Sequence, residues 1–240
     1  PYLEERLTEL GARKKSENYE ICVLNLKAPK TLVSEKKVNL YYYPSLNSPY
    51  TFVSTKRIRE IRDEYPINLF MKPVLPMLMR KMNIPTNKAK YILSDAAREG
   101  RRYGNEMKII HSPIGNPARK SYSLFPAIDK AGKGFEYIEA LLKASFQDGI
   151  NIGDDNFLEN LVTNLELDWE LIKKDLNSKH WQKILKDNVE DMYSGNCWGV
   201  PSFKITDEDG SNSFFTWGQD RIWLLKEEIY KRLDKSHEKL

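Results

Sequence analysis

The stretch Val38-Asn39-Leu40-Tyr41-Tyr42-Tyr43-Pro44-Ser45-Leu46-Asn47-Ser48-Pro49-Tyr50 decides how the chain is read. Its first six residues are rich in β-branched and aromatic side chains, which suit a pleated, half-buried strand. Pro44 has no N–H to give a ladder and ends the run. Ser48 followed by Pro49 is the order of an N-cap and a first-turn proline, so a helix is predicted to start there. Phe52, Val53, Ile58 and Ile61 supply its apolar positions, Tyr65-Pro66 closes it, and Ile67 to Lys72 reads as a second strand.

Downstream the hydrophobic period becomes helical. Ala89, Ile92, Leu93, Ala96 and Gly100 recur at helical spacing, and so do Phe135, Ile138, Leu141, Leu142 and Phe146. Asp154 and Asp155 are candidate caps for a helix carrying Leu158, Leu161, Val162 and Leu165. Asp168 can cap the next, and Ser178 can open one with Trp181, Leu185, Val189 and Met192. Between these elements His111 to Lys130, with Pro113, Pro117 and Pro126, reads as a loop. After Gly195, Val200 to Ile205 is a strand, Asp207-Glu208-Asp209-Gly210 a turn, and Ser213 to Trp217 the returning strand of a hairpin. Gly218-Gln219-Asp220 opens a terminal helix with Ile222, Leu225, Ile229 and Leu233. Strand, helix, strand, many helices, hairpin, helix: this order predicts an α/β domain with a large helical insertion.

Upstream, residues 12–37 mix Lys/Glu-rich loops with one strand-like run, Tyr19 to Leu26. Residues 2–11 read as a helix end closed by Gly11. Leu3, Glu5 and Leu7 line up with Leu225, Glu227 and Ile229, which suggests the end of a preceding related domain in a tandem protein; an ordinary amphipathic leader helix is the alternative.

Composition narrows the function classes. An apolar fraction of 40% with 13 Tyr, 9 Phe and 5 Trp supports a sizeable core. Charged residues reach 30%, yet the net charge is only +4, which makes no case for nucleic acid. The densest basic cluster, Arg98, Arg101 and Arg102, reads as a solvated helix face, with a local anion site as the alternative. No apolar run reaches the ~18 residues of a membrane span, and no secretory segment opens the chain, so a reduced, cytoplasmic setting is expected. Cys22 and Cys197 form no Cys-x-x-Cys, and Cys197 is expected to pack as a small hydrophobe. His111, His180 and His237 lack metal-ligand spacing, so no metal is expected.

Three places carry chemistry. Ser48 stands at a predicted helix N-terminus, where unpaired N–H groups and the dipole favour an anion such as a thiolate; it also reads as a simple cap. Gly199-Val200-Pro201 leads into a strand, and because only about 5–6% of X-Pro bonds are cis, the sequence predicts trans. A cis bond would turn the Val200 backbone toward an extended peptide. Asp220 is either a capping charge at the last helix or the partner of a ligand ammonium group.

Together these places resemble the 2-hydroxychromene-2-carboxylate isomerase and kappa-class glutathione transferase family, within the DsbA-like thioredoxin superfamily. The resemblance rests on Ser48-Pro49-Tyr50, Lys72-Pro73-Val74-Leu75, Pro85 to Tyr91 and Asp95-x-x-Arg98. It continues through Ala144 to Ile152, Gly199-Val200-Pro201 and Gly218-Gln219-Asp220-Arg221. It implies a thioredoxin-like fold with residues 38–74 and 178–240 in the core, 75–177 as the insertion and 1–37 as a leader. It also implies glutathione: Ser48 on the sulfur, Val200 before a cis Pro201 on the cysteinyl backbone, Gln219 and Asp220 on the γ-glutamyl end, and Lys88 on a carboxylate. Tyr50 and Asn83 are further candidates. The implied activity is attack of a glutathione thiolate on an electrophilic small molecule, ending in isomerisation or transfer, and family members pair into homodimers. Two departures stand out: Ser45 where the family has an acidic residue, and the tyrosine-rich strand end Tyr41-Tyr42-Tyr43-Pro44. A non-catalytic domain of the same fold is the alternative. Dithiol exchange requires a cysteine where Ser48 stands, and redox work by Cys197 requires a low-pKa thiol.

Overall fold

The computed structural model describes residues 10–11, 36–176 and 178–233. The chain divides into two compact units, Pro1–Lys30 and Thr31–Leu240. Of the first, only Leu10 and Gly11 are described, in a turn with Gly11 at φ +69°. The Tyr19–Leu26 run, Cys22, His237 and the residues matched to the C-terminal helix (Leu3, Glu5 and Leu7) lie outside the described residues.

In the second unit, β1 (Val38–Tyr43), β2 (Ile67–Met71), β3 (Ser202–Asp207) and β4 (Phe214–Trp217) form one sheet in the order β2-β1-β3-β4. β1 runs parallel to β2 and antiparallel to β3, and β3 runs antiparallel to β4. The helices are α1 (Pro49–Glu64), α2 (Thr86–Tyr103), α3 (Asn116–Lys130), α4 (Gly134–Phe146), α5 (Asp155–Asn164), α6 (Trp169–Ile172), α7 (His180–Ser194) and α8 (Ile222–Leu233). The register pairs Tyr42 with Met71, Tyr43 with Ser202, and Ser202 with Trp217. One end of the sheet therefore gathers the exits of β1, β2 and β4 and the entry to β3.

β1 sits between two neighbours and is buried along nearly its whole length, which is why it tolerates so many aromatic residues. Tyr41 stacks on its β2 partner Phe70 at 4.9 Å, and Tyr42 on its β3 partner Phe203 at 5.4 Å. The Tyr42 hydroxyl meets Ser54 of α1 at 3.2 Å, and the Tyr43 hydroxyl donates to Asp191 of α7 at 2.5 Å. Tyr41 and Tyr42 thus stack on neighbouring strands, Tyr43 packs with Val74, Met192 and Cys197, and at 42 and 43 the hydroxyl meets a helix.

Two expectations are corrected. Residues 116–130 form α3 rather than a loop. Pro117 falls in the first turn, where no N–H bond is needed. Pro126 lies inside, but Ala118, Tyr122, Phe125 and Ile128 are buried at helical spacing, and that burial outweighs the ~3 kcal/mol an interior proline costs. Ser178 also does not cap: α7 begins at His180 with no side-chain cap bond. Asp154 and Asp168 do cap α5 and α6, accepting from Phe157 N–H at 3.0 Å and Glu170 N–H at 2.8 Å.

Helices α3 and α7 are tied to the sheet end by polar groups. The Tyr122 hydroxyl of α3 accepts from Leu46 N–H at 3.1 Å and donates to the Val74 carbonyl at 2.9 Å. Val74 N–H in turn donates to the Pro44 carbonyl at 2.9 Å. From α7, the Asn188 amide donates to the Pro73 carbonyl at 2.9 Å. The Asp191 carboxylate of the same helix accepts from Tyr43 and, at 2.8 Å, from Lys204 of β3. Burial acts to raise the Asp191 pKa, but the hydrogen bonds from Lys204 and Tyr43 outweigh it and hold the carboxyl below its usual range.

Tyr122→Phe strands two buried backbone groups and should cost about 2 kcal/mol, read as a Tm lower by roughly 4–8 °C. Asp191→Asn should cost about 1–2 kcal/mol, because solvent screens a carboxylate that is 33% exposed. Its folded pKa lies below its unfolded value of about 3.9. The contribution is therefore complete above about pH 4 and lost as pH falls through the folded value. Thermal melts across pH should show wild type and variant converging below pH 4; a constant difference would contradict the assignment.

Candidate functional site

Ser48 lies at the sheet end, buried to 7% exposure, as the N-cap of α1. Its Oγ accepts from Thr51 N–H at 3.1 Å and donates to the Val200 carbonyl at 3.4 Å, a long and weak bond. The cap reading thus holds, and the same hydroxyl also reaches the strand entry. The Val200–Pro201 bond is cis, against the trans base rate and as the family resemblance implies.

The third segment joins through β4. The Pro201 carbonyl accepts from Gly218 N–H at 2.8 Å, and a Cβ on Gly199 would come within 2.5 Å of the Trp217 ring. Gly218 has φ +102°, and a Cβ there would lie 2.3 Å from a carboxylate oxygen of Asp220. Only glycine allows the Asp220 side chain to fold back over this turn. Asp220 is exposed, whereas Gln219 is buried. The Gln219 side chain is engaged within the protein: its oxygen accepts from Arg57 and its amide nitrogen donates to Glu99 at 3.2 Å.

Lys88 is exposed on α2, with its ammonium 5.6 Å from the centroid of the Trp198 ring. Trp198 in turn rests against Trp217 at 4.8 Å, and the Arg221 guanidinium lies 5.2 Å from the Trp217 ring. Ser48, Val200, Pro201, Gly218 to Asp220 and Lys88 are therefore linked contact by contact. Asn83 is exposed ahead of α2, and no described contact joins it to these residues. Tyr50 is tied to α2: its hydroxyl donates to Asp95 at 2.8 Å, and Arg98 donates to the same carboxylate at 2.9 Å. Burial, then Asp95, raises the Tyr50 pKa. The Asp95-x-x-Arg98 spacing is thus an i,i+3 ion pair that fixes a tyrosine from the neighbouring helix.

Arg57, Glu99 and Trp198 were not singled out in the sequence. Trp198 stands two residues before Val200, a proximity that could have been noticed. Arg57 and Glu99 look like ordinary helix-surface charges until α1 and α2 pack beside Gln219.

Cys197 packs in a core cluster with Tyr43, Val74 and Met192, and its thiol approaches the Gly195 carbonyl at 3.5 Å. Burial pushes its pKa up, the opposite of what a reactive thiolate requires. Among the described residues no group of His, Cys, Asp and Glu is placed to hold a metal ion, and no helix is long and apolar enough to cross a membrane. Two cavities are described elsewhere. One of about 550 Å³ lies among Lys37, Asp207, Glu228 and Arg232, and one of about 330 Å³ among Leu69, Met71, Asp129 and Phe135. Neither is lined by Ser48, Val200 or Asp220.

Chemically, the junction presents a hydroxyl at a helix N-terminus, an open carboxylate and an open ammonium group. Those are the complements of an anionic sulfur, an ammonium and a carboxylate.

Comparison with known proteins bears on the fold. A 2-hydroxychromene-2-carboxylate isomerase matches at TM-score 0.66 and 16% identity, over 83% of this chain and 98% of that one. The cytosolic disulfide reductase DsbM from Pseudomonas aeruginosa matches at 0.62 and 13%, over 83% and 98%. The same reductase solved with GSH matches at 0.60 and 12%, over 84% and 100%. No curated protein sequence matches the chain. The sequence profile of the DSBA-like thioredoxin domain spans residues 39–230, from the second residue of β1 into α8. With that profile covering most of its length and the sheet, helices and insertion arranged as described, the chain belongs to the DSBA-like thioredoxin domain family.

Proposed function

We propose that the chain binds glutathione across this junction and acts with it on an electrophilic small molecule, as an isomerase or a transferase. The observation that carries the reading is Ser48, a hydroxyl at the N-terminus of α1 and 3.4 Å from the Val200 carbonyl, where dithiol chemistry needs a cysteine.

The residues suit the ligand. A hydroxyl has one donor and two acceptor lone pairs, so Ser48 can leave its long bond to Val200 and turn to a sulfur while still accepting from Thr51. Val200 offers main-chain pairing to the cysteinyl portion. Asp220 complements the γ-glutamyl ammonium and Lys88 a carboxylate. Gln219 contributes by holding the turn beneath Asp220, since its side chain is already engaged. Bound glutathione would supply the nucleophilic sulfur. Ser48 and the positive end of α1 favour the ionised form of that sulfur. An isomerase and a reductase solved with GSH among the fold neighbours support the reading, and a reduced, cytoplasmic setting suits it.

One observation favours a second reading, a non-catalytic binding or structural domain: the Gln219 side chain is already engaged within the protein, by Arg57 and Glu99. Calorimetric titration with reduced glutathione separates the two. Saturable binding, weakened about tenfold by Asp220→Asn, is expected; no binding at millimolar glutathione would leave the second reading. In Ser48→Ala, ultraviolet titration of the bound thiol should show its pKa returning toward the ordinary value of about 8.5; an unchanged value would remove Ser48 from the sulfur site. In a Cys22→Ser background, Cys197 should resist alkylation at neutral pH until the protein is unfolded. Rapid native alkylation would instead support redox work by that thiol.

A further inference from the structure

Arg57 is a charge at this site to which the glutathione reading gives no role. It lies on the α1 helix nine residues beyond Ser48, about 13 Å along the axis at 1.5 Å per residue. Its guanidinium stacks over the Tyr103 ring with Cζ 3.7 Å from the centroid. One terminal nitrogen donates to the Gln219 carbonyl at 3.0 Å and the other to the Gln219 side-chain oxygen. Its Nε is buried without a partner. Gln219 closes the arrangement by donating to Glu99 of α2.

This is a costly way to make an ordinary helix contact. Desolvation pulls the Arg57 pKa down, and the negative charges around it, Glu99, Glu60 and Asp220, only partly restore it. What the arrangement does achieve is rigidity at one peptide. A planar fork grips both the backbone and the side chain of Gln219, the residue immediately before Asp220, while Gly218 is held from the other side by the Pro201 carbonyl.

We propose that Arg57 is a positioning residue for Asp220: through Gln219 it sets the carboxylate where it meets the γ-glutamyl ammonium, and so gives the site its preference for γ-glutamyl thiols. The inference rests on the glutathione reading. It assigns Arg57 no contact with the ligand, only control over the one group that recognises its amino end.

Competition titrations with glutathione, γ-glutamylcysteine and cysteinylglycine test it, on wild type, Arg57→Gln, Arg57→Lys, Asp220→Asn and the double variant Arg57→Gln/Asp220→Asn. Arg57→Gln should weaken glutathione and γ-glutamylcysteine about tenfold and cysteinylglycine less than twofold. Arg57→Lys, which keeps the charge but not the fork, should fall with Arg57→Gln in the same pattern and guards against a variant that does not fold. In the Asp220→Asn background the Arg57 change should cost less than twofold, because the group it positions is already gone. Equal losses for all three thiols, or losses that add in the double variant, would show a merely structural role and overturn the proposal. Failure of wild type to bind glutathione would overturn the glutathione reading itself, a result distinct from binding that is indifferent to Arg57.

Discussion

The hydroxyl of Tyr122 is the interaction on which the arrangement depends. It is fully buried in α3, and it takes the N–H of Leu46 and gives its proton to the carbonyl of Val74. Those two backbone groups belong to the segments leaving β1 and β2, whose inner ladder ends there. Left unpaired in the interior, each would be expensive. The insertion is therefore a structural member of the sheet end, supplying the bonds that a small four-stranded sheet cannot. Tyr137 extends the brace by donating to the Ser121 carbonyl, and the Ser121 hydroxyl extends it further to the Ile152 carbonyl.

With that end braced, the candidate site follows from topology. Parallel β1 and β2 finish where antiparallel β3 begins and β4 finishes, so the helix start at Ser48, the Val200–Pro201 entry and the Gly218 turn converge with no long loop. The contacts are short and local: Ser48 to Val200, Pro201 to Gly218, Gly199 against Trp217. Under the proposed reading, a hydroxyl here would hold an anionic sulfur by hydrogen bonding, whereas a cysteine would itself be the nucleophile. The one described cysteine nearby, Cys197, is sealed into the core instead.

Much of this was legible in advance where a residue type has one dominant physical reason to be where it is. β1 is legible at its observed limits because a run of Val and three Tyr ends at a proline, and α1 because a cap and a first-turn proline precede an apolar stripe. The helix α3 is hidden in the sequence because Pro113, Pro117 and Pro126 read as breakers, although the buried series from Ala118 to Ile128 decides the conformation. The burial of Gln219 is not legible from its neighbours in sequence, because Arg57 and Glu99, distant along the chain, converge on it.

By itself, then, the sequence determined the α/β class, the order of the elements apart from α3, the interruption of the sheet by helices, and Ser48 as a helix N-cap. All of these are set by neighbours a few residues apart. Tertiary structure alone decided the burial of Gln219 between Arg57 and Glu99, the pairing of Asp95 with Tyr50, and the gathering of Arg57, Glu99 and Asp220 around one turn. The reason is physical. Propensity, periodicity and capping act within one or two turns of chain, whereas the partner of a buried polar group is whichever complementary group packing delivers within 3 Å. That partner lies as readily 162 residues away, as Arg57 does from Gln219, as beside it.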